Sequence, residues 1–143
     1  MSKELKSALY PSLQTAIKGK SEKDAANILI DFVQNSFQYQ TDGEQFGYEK
    51  PFFMDENFYY PACDCEDRAI LFSNLVKDLM GLDAVLLDYP NHIASAVRFN
   101  EEISGDYILL DGKKYLICDP TYIGAPIGMC MDRFKSVAPE IIR

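Results

Sequence analysis

Residues 64–99 read DCEDRAILFSNLVKDLMGLDAVLLDYPNHIASAVRF, and the hydrophobic pattern changes in the middle of this stretch. From Asp64 to Gly81 the apolar residues recur at helical spacing, with an aspartate suited to the N-cap and a glycine suited to the C-terminal end. After Gly81 the pattern becomes short extended runs, at 84–87 and 92–99. The stretch therefore predicts one helix followed by strands.

Two more extended runs follow, at 106–110 and 114–118. The dipeptide Asp111-Gly112 separates them, and it is a strong signal for a two-residue β-hairpin because both residue types tolerate positive φ. The second half of the chain is therefore predicted to form antiparallel strands.

Two helices are predicted on the amino-terminal side. The first covers 3–18 and carries apolar residues at four-residue steps, in a stripe interrupted by Pro11. The second begins where Ser21 and Asp24 resemble a capping box, and its apolar period continues to about Phe37.

The order of these elements, helices first and antiparallel strands second, predicts the α+β class. The 143 residues fit one domain, 1–143. A net charge of −8 argues against a nucleic-acid partner, because phosphate binding needs a basic surface. The sequence has neither a membrane-spanning apolar run nor a secretory signal, so a cytoplasmic location and no membrane partner are expected, unless the chain is part of a longer protein.

The chain has four cysteines, which in a domain of this size do not resemble a disulfide framework. If Asp64 is the N-cap, Cys65 is the first residue of the helix, where unpaired backbone N–H groups lower the pKa of a thiol. Cys63 precedes the cap and gains no such help. Cys118 neighbours Asp119 on a strand, so its side chain is expected on the other face.

A reactive thiol of this kind is commonly paired with a base, and His92 is the one histidine in the chain. It opens an extended run after the turn-like Pro90-Asn91. Ala94 and Ala96 continue its face of the strand, and these small residues predict that a helix approaches that face closely.

A Cys–His pair usually needs a third group that fixes the imidazole tautomer. Asp119 is the best candidate, with Asp88 as its rival. If the strand that begins at His92 pairs directly with the strand that ends before Asp119, the two residues fall opposite each other. The strand order that this requires is 84–87, 92–99, 113–118, 106–110.

Three blocks occur in this order: DCEDRAILFSNLV at 64–76, NHIASAV at 91–97 and YLICDPTY at 115–122. Together they resemble the transglutaminase-like cysteine-protease superfamily, whose core presents a cysteine at a helix start and a histidine and an aspartate on neighbouring strands. The resemblance covers about residues 30–125, and it leaves 1–20 as an N-terminal helical extension. The wider blocks EQFGYEKPFF and DPTYIGAPIG resemble transglutaminase-domain proteins of Bacteroides-type bacteria.

The resemblance implies a papain/transglutaminase-like core in which Cys65 is the nucleophile, His92 the general base and acid, and Asp119 the orienting carboxylate. The expected activity is hydrolysis of a peptide, protein or small amide substrate through a thioester, with no cofactor and no metal. The sequence has no tryptophan, a residue that contributes to the oxyanion hole of true transglutaminases. Gln45 is a candidate oxyanion donor beside the Cys65 backbone N–H.

Three alternatives stay open from the residues alone. The same triad could pass the acyl group to an amine, as a transglutaminase does. The domain could bind a peptide or protein without catalysis. Cys63, Cys65, His92 and a fourth ligand could hold zinc, although C-x-C spacing is less usual than C-x₂-C. The aromatic-rich segment 46–60 is expected to be a loop that packs on the core, with the wall of a substrate groove as the alternative.

Overall fold

The computed structural model of the protein describes residues 3–44 and 64–142. Three α-helices come first: α1 (Lys3–Ile17), α2 (Glu22–Glu44) and α3 (Asp64–Leu75), which continues as a π-helical turn, Val76–Met80. The strands follow: β1 (Asp83–Tyr89), β2 (His92–Arg98), β3 (Tyr107–Leu110), β4 (Lys113–Cys118) and, after a short 3₁₀ helix at Asp132–Phe134, β5 (Glu140–Ile142). Within the described residues the α+β class is confirmed.

The first helix continues through Pro11, so the expected interruption is wrong. Proline removes one backbone N–H, which would otherwise donate to the carbonyl of Ser7. Ser7 and Pro11 are both exposed, so water can satisfy the carbonyl that loses its partner. Leu13, on the inward side, is buried and packs the helix against the core.

The second helix begins as predicted and ends later. The Ser21 hydroxyl oxygen accepts a hydrogen bond from the Asp24 backbone N–H at 3.1 Å, which caps the helix. The helix then runs to Glu44, beyond the predicted end near Phe37. The aromatic segment 46–60 lies outside the described residues, so its role as a loop on the core stays a prediction.

The five described strands form one antiparallel sheet in the order β3-β4-β2-β1-β5. This is the predicted order, with β3 at one edge. Asp111 and Gly112 join β3 to β4 with φ of 54° and 78°, the paired positive values of a type I′ hairpin turn. The other edge is β5, which was not predicted, because three residues are too few to show an alternating pattern.

The two faces of the sheet pack on different parts of the chain. What we call the helix face consists of Ala84, Val97, Leu116 and Cys118, and the C-terminal face consists of Val85, Leu87, Tyr89, Ala94, Ala96, Tyr115 and Ile117. The helix face packs on residues such as Phe72 of α3. The C-terminal face packs on the segment after β4, which includes Phe134. The prediction that a helix approaches Ala94 and Ala96 is therefore wrong, and strand alternation explains why: the helix packs on the other side of β2.

The close approach of α3 to β2 occurs at Ser95. The Ser95 hydroxyl donates to the carbonyl oxygen of Ala69 at 3.1 Å, and its oxygen lies 3.1 Å from the Ser73 hydroxyl. Because the Ser95 hydrogen is already used, Ser73 is the donor in the second bond. This polar bridge in an otherwise apolar interface fixes the position of α3 along β2.

None of the described helices is long and apolar enough to cross a lipid bilayer. The longest, α2, has 23 residues and carries charged side chains along its length.

Candidate active site

His92 is the first residue of β2 and pairs across the sheet with Tyr89, the last residue of β1. Pro90 and Asn91 form the turn between them. Proline restricts its own φ, and Asn91 has φ 59°, a left-handed value that asparagine tolerates. This tight turn places the imidazole at the end of the sheet, where only 5% of the residue is exposed.

Asp119 follows β4 directly and is also buried. Its Oδ1 accepts a hydrogen bond from the Thr121 backbone N–H at 3.0 Å, which forms an Asx turn across Pro120. Its Oδ2 lies 2.7 Å from His92 Nε2. The structure thus brings these two predicted site residues together, and both carboxylate oxygens have a partner.

The bond between the two side chains determines what the ring can do. An ionised carboxylate only accepts, so Nε2 carries a hydrogen and donates it to Asp119 Oδ2. Hydrogen bonds to a charged group are stronger than neutral ones, and these side chains are shielded from water, at 4% and 3% exposure. Nδ1 of His92 is therefore the ring nitrogen left to take a proton from a thiol.

The register of β2 against β4 differs by two residues from the predicted one. Ser95 pairs with Cys118, so the position of Asp119 faces Ala94, and the prediction that it lies directly opposite His92 is wrong. A shift of two residues keeps every side chain on its predicted face. His92 lies diagonal to Asp119, and the imidazole reaches it through its outer nitrogen, Nε2.

Phe134, which the sequence does not single out, covers the imidazole. Its ring stacks on His92 with centroids 5.1 Å apart and an interplanar angle of 10°. The ring of Tyr89 also stacks on the ring of Phe134, with centroids 4.6 Å apart. Phe134 belongs to the 3₁₀ helix, whose three residues carry no periodic signal. The C-terminal segment thus provides one wall around the His92–Asp119 pair.

Cys65 is the second residue of α3, which begins at Asp64, and its side chain lies outside the described part of the structure. Its position in the helix is defined, because positions 65, 69 and 73 follow one another at one turn each on the same side. Ala69 and Ser73 are the residues that bond to Ser95. Position 65 therefore precedes this contact by one turn, about 6 Å along the helix.

The direction of α3 follows from its connection to β1. A two-residue link joins the π-helical turn to Asp83, which pairs with Arg98 at the end of β2. The carboxyl end of α3 thus lies at the Arg98 end of β2, and its amino end points toward the His92 end. The first turn of α3 and the His92–Asp119 pair therefore lie at the same end of the sheet.

Cys118 and Cys130 are free and buried. Cys118 lies on the helix face, on the other side of β4 from Asp119, as predicted. Burial raises the pKa of Cys118 to about 12; the charge of Asp119 adds to this and a backbone hydrogen bond at Gly128 opposes it. Burial also raises the pKa of Cys130. Because neither forms a thiolate readily, neither is a candidate nucleophile.

The rival carboxylate, Asp88, does not take the place of Asp119. It pairs across the sheet with Ile93 and Glu140, and strand alternation puts it on the opposite side of β1 from Tyr89. His92 Nε2 is bonded to Asp119 instead.

The other predicted site residues stay predictions. Gln45 and Cys63 lie outside the described residues. Across residues 3–44 and 64–142, as far as the side chains are described, no group of three or more His, Cys, Asp or Glu could hold a metal ion. The zinc alternative depends on Cys63 and Cys65, whose side chains are not among those described, so it is untested.

Comparisons of this chain with protein-family models, with curated proteins and with solved structures found no match. The site itself is a buried imidazole–carboxylate pair at one end of a sheet, with a cysteine position in the first turn of a helix that begins at the same end.

Proposed function

We propose that the protein is a cysteine-dependent acyl-transfer enzyme that hydrolyses a peptide or amide bond through a thioester. Cys65 is the nucleophile, His92 the general base and acid, and Asp119 the orienting carboxylate. The observation that carries the proposal is the buried hydrogen bond of 2.7 Å between His92 and Asp119, which leaves Nδ1 as proton acceptor. The start of α3 at the His92 end of the sheet supports the role of Cys65.

The first half of the reaction forms the acyl-enzyme. The Cys65 thiol gives its proton to His92 Nδ1, and the sulfur attacks the substrate carbonyl carbon while the C=O π electrons move to oxygen. Unpaired backbone N–H groups at the start of α3 stabilise this oxyanion. When the intermediate collapses, the C=O bond re-forms, the C–N bond breaks, and Nδ1–H protonates the leaving amine.

The second half hydrolyses the thioester. Water gives a proton to His92 Nδ1 as its oxygen attacks the carbonyl carbon, and the C–S bond then breaks as this proton passes to the sulfur. The products are a free carboxylic acid and the regenerated Cys65 thiol. Asp119 keeps its charge throughout, holds the ring in place and stabilises the imidazolium each time it forms.

A papain/transglutaminase-like core is part of this proposal. Its support is the arrangement of three elements: a helix with a cysteine in its first turn, a strand that begins with a histidine, and an adjacent strand followed by an aspartate. The sequence resemblance implies the same arrangement. The direct pairing of β2 with β4 matters most, because a strand inserted between them would separate His92 from Asp119.

An electrophilic peptide or amide probe, with the modified residue located by mass spectrometry, tests the nucleophile. We expect the adduct on Cys65 at neutral pH. Cys63→Ser is the matched control, since it removes a thiol two positions away and should leave the adduct unchanged. His92→Ala should slow the labelling of Cys65. Equal labelling of both cysteines, unaffected by His92→Ala, would remove the basis for this assignment.

The fate of the acyl-enzyme separates hydrolysis from amine transfer. We expect hydrolysis, because water competes well for a thioester unless a site excludes it, and the sequence lacks the tryptophan of the transglutaminase site. An accepted acyl donor is supplied with excess primary amine in isotopically labelled water. Label in the carboxylate supports hydrolysis. A dominant amide product with little label would make the protein a transferase with the same three residues.

A further inference from the structure

Gln34 of α2 makes four hydrogen bonds to the segment that begins with Asp119. Its Nε2 donates to three backbone carbonyl oxygens: Asp119 at 3.2 Å, Tyr122 at 3.0 Å and Ala125 at 3.0 Å. Its Oε1 accepts from the backbone N–H of Gly124 at 3.0 Å. Gln34 is 2% exposed, so water competes little for these bonds.

The amide of Gln34 satisfies backbone groups that lie outside any helix or strand. Residues 119–125 form successive turns, in which Tyr122 N–H donates to Asp119 O and Ala125 N–H donates to Tyr122 O. The carbonyl oxygens of Asp119 and Tyr122 thus accept one bond from within the segment and a second one from Gln34. For Ala125 O and Gly124 N–H, the amide of Gln34 is the partner, and a buried backbone group left without one costs about 1–3 kcal/mol. The two hydrogens of the Gln34 amide serve three carbonyls, which means that one hydrogen is shared.

This anchoring reaches the active site through a single residue. Gln34 holds the carbonyl oxygen of Asp119, and the carboxylate of the same residue holds His92 Nε2–H. The Thr121 backbone N–H, inside the anchored segment, fixes the second carboxylate oxygen. The bonds of Gln34 thus fix both the backbone from which the Asp119 side chain projects and the turn that orients it.

We propose that Gln34 is a positioning residue of the active site, which sets the Asp119 carboxylate at the place where it can hold and orient the imidazole of His92. The catalytic meaning of this role rests on the proposed function, because the pair acts on a substrate only if Cys65 is the nucleophile. The hydrogen bond of His92 can be measured independently of any activity.

Asn27 offers a matched control on the same helix. It lies seven residues before Gln34, two turns away on the same side, and its Oδ1 accepts from the Ile127 backbone N–H at 2.9 Å. Asn27 therefore ties α2 to the chain beyond the anchored segment and makes none of the bonds to Asp119. Asn27→Ala removes one hydrogen bond between α2 and the chain that follows β4, and it leaves the four bonds of Gln34 in place.

The experiment follows the Nε2–H proton of His92 by NMR in isotope-labelled protein, where the one histidine of the chain makes the imidazole signals unambiguous. Gln34→Met keeps a similar side-chain volume and removes the amide. We expect the Nε2–H proton to exchange with water about tenfold faster in this variant, and the alkylation of Cys65 to slow about tenfold, because small misplacements of catalytic groups have large effects on rate. Asn27→Ala should leave both rates nearly unchanged.

The outcomes separate this proposal from the proposed function. If Gln34→Met does not fold, Gln34→Glu keeps the shape and the acceptor for Gly124 N–H, and the same two changes are expected. Unchanged exchange in a folded Gln34 variant overturns the positioning role, and so do equal effects from Gln34→Met and Asn27→Ala. Faster exchange with unchanged alkylation supports the positioning of His92 but counts against the chemistry proposed for Cys65.

Discussion

The helix face and the C-terminal face of the sheet lie on opposite sides of the same strands and are built differently. The helix face packs on residues such as Leu13, Leu29 and Phe72, which come from three regular helices. The C-terminal face packs on the segment after β4, where the regular structure described is a 3₁₀ turn and β5. Phe134 of that segment stacks on His92, so the His92–Asp119 pair lies on the side with the less regular cover, whereas α3, which carries Cys65, packs on the helix face.

The chemistry of the two faces differs in the same way. The buried strand residues of the helix face are apolar apart from Ser95, which bonds to Ser73 of α3. On the C-terminal face, the rings of Tyr89 and Tyr115 and the buried polar side chains of His92 and Asp119 lie among the apolar residues. Buried groups of this kind need partners, so this face depends on hydrogen bonds and ring stacking as well as on apolar area. Truncation of a buried side chain should therefore lower the free energy of unfolding by a similar amount on either face. Only a truncation on the C-terminal face should also disturb the His92–Asp119 pair.

The largest expected effect comes from removing the carboxylate that holds His92. Asp119→Ala leaves the buried Nε2–H without its acceptor and the ring without an orienting group. We expect kcat/KM for an accepted amide substrate to fall by about 10³–10⁴-fold, the loss typical of triads without a correctly held histidine. Asp88→Ala is the control, because Asp88 is a carboxylate on β1, the strand beside β2, that is not bonded to His92; this variant should change little. Similar losses from the two variants would show that Asp119 has no special role.

Two buried phenylalanines compare the faces directly. Phe134→Ala on the C-terminal side and Phe72→Ala on the helix side should each lower the free energy of unfolding by about 3–5 kcal/mol, as measured by urea denaturation. Only Phe134→Ala removes the ring stacked on His92, so only this variant should speed exchange of the Nε2–H proton. If Phe72→Ala speeds exchange equally, the two faces do not differ in their effect on the site.

The serine bridge should give a smaller effect on the helix face. Ser95→Ala leaves the Ala69 carbonyl and the Ser73 hydroxyl without this partner, and we expect a loss of about 1–3 kcal/mol in unfolding free energy. The double variant with Ser73→Ala should cost less than the sum of the two single changes. Additive losses in urea denaturation would mean that the two hydroxyls do not interact.

Local chemistry explains the parts of the fold that the sequence predicted. Asp111-Gly112 predicts a hairpin because its two residues accept positive φ, and the structure has both values there. The helical period that begins at Asp64 stops at Gly81, whose φ is 69°. His92 and Asp119 could be proposed as partners because both stand at strand ends, where side chains from adjacent strands converge.

The features that were not predicted depend on contacts distant in sequence. A register error of two residues leaves the alternation intact, so the pattern of β2 and β4 could not reveal it. The alanines of β2 fit a close neighbour on that face, but nothing local shows whether a helix or the C-terminal segment provides it. Gln34 left a trace, because it is a polar residue beside Ile30 and Val33 on the inward side of α2. Phe134, in an irregular segment, left none.

The smallest effect at neutral pH concerns Cys118, whose titration at higher pH reports how tightly the helix face is closed. Burial raises its pKa from an ordinary 9.0 to about 12. Between these pH values the unfolded chain has lost this proton while the folded chain retains it, so stability is full below pH 9 and falls as pH rises, by about 1 kcal/mol per pH unit from this thiol. Cys118→Val keeps a similar volume and removes the titration, so it should flatten the fall in unfolding free energy above pH 9, while other groups with raised pKa, such as Cys130, contribute equally to both proteins. An unchanged slope would mean that Cys118 reaches water through local opening of the helix face, without global unfolding.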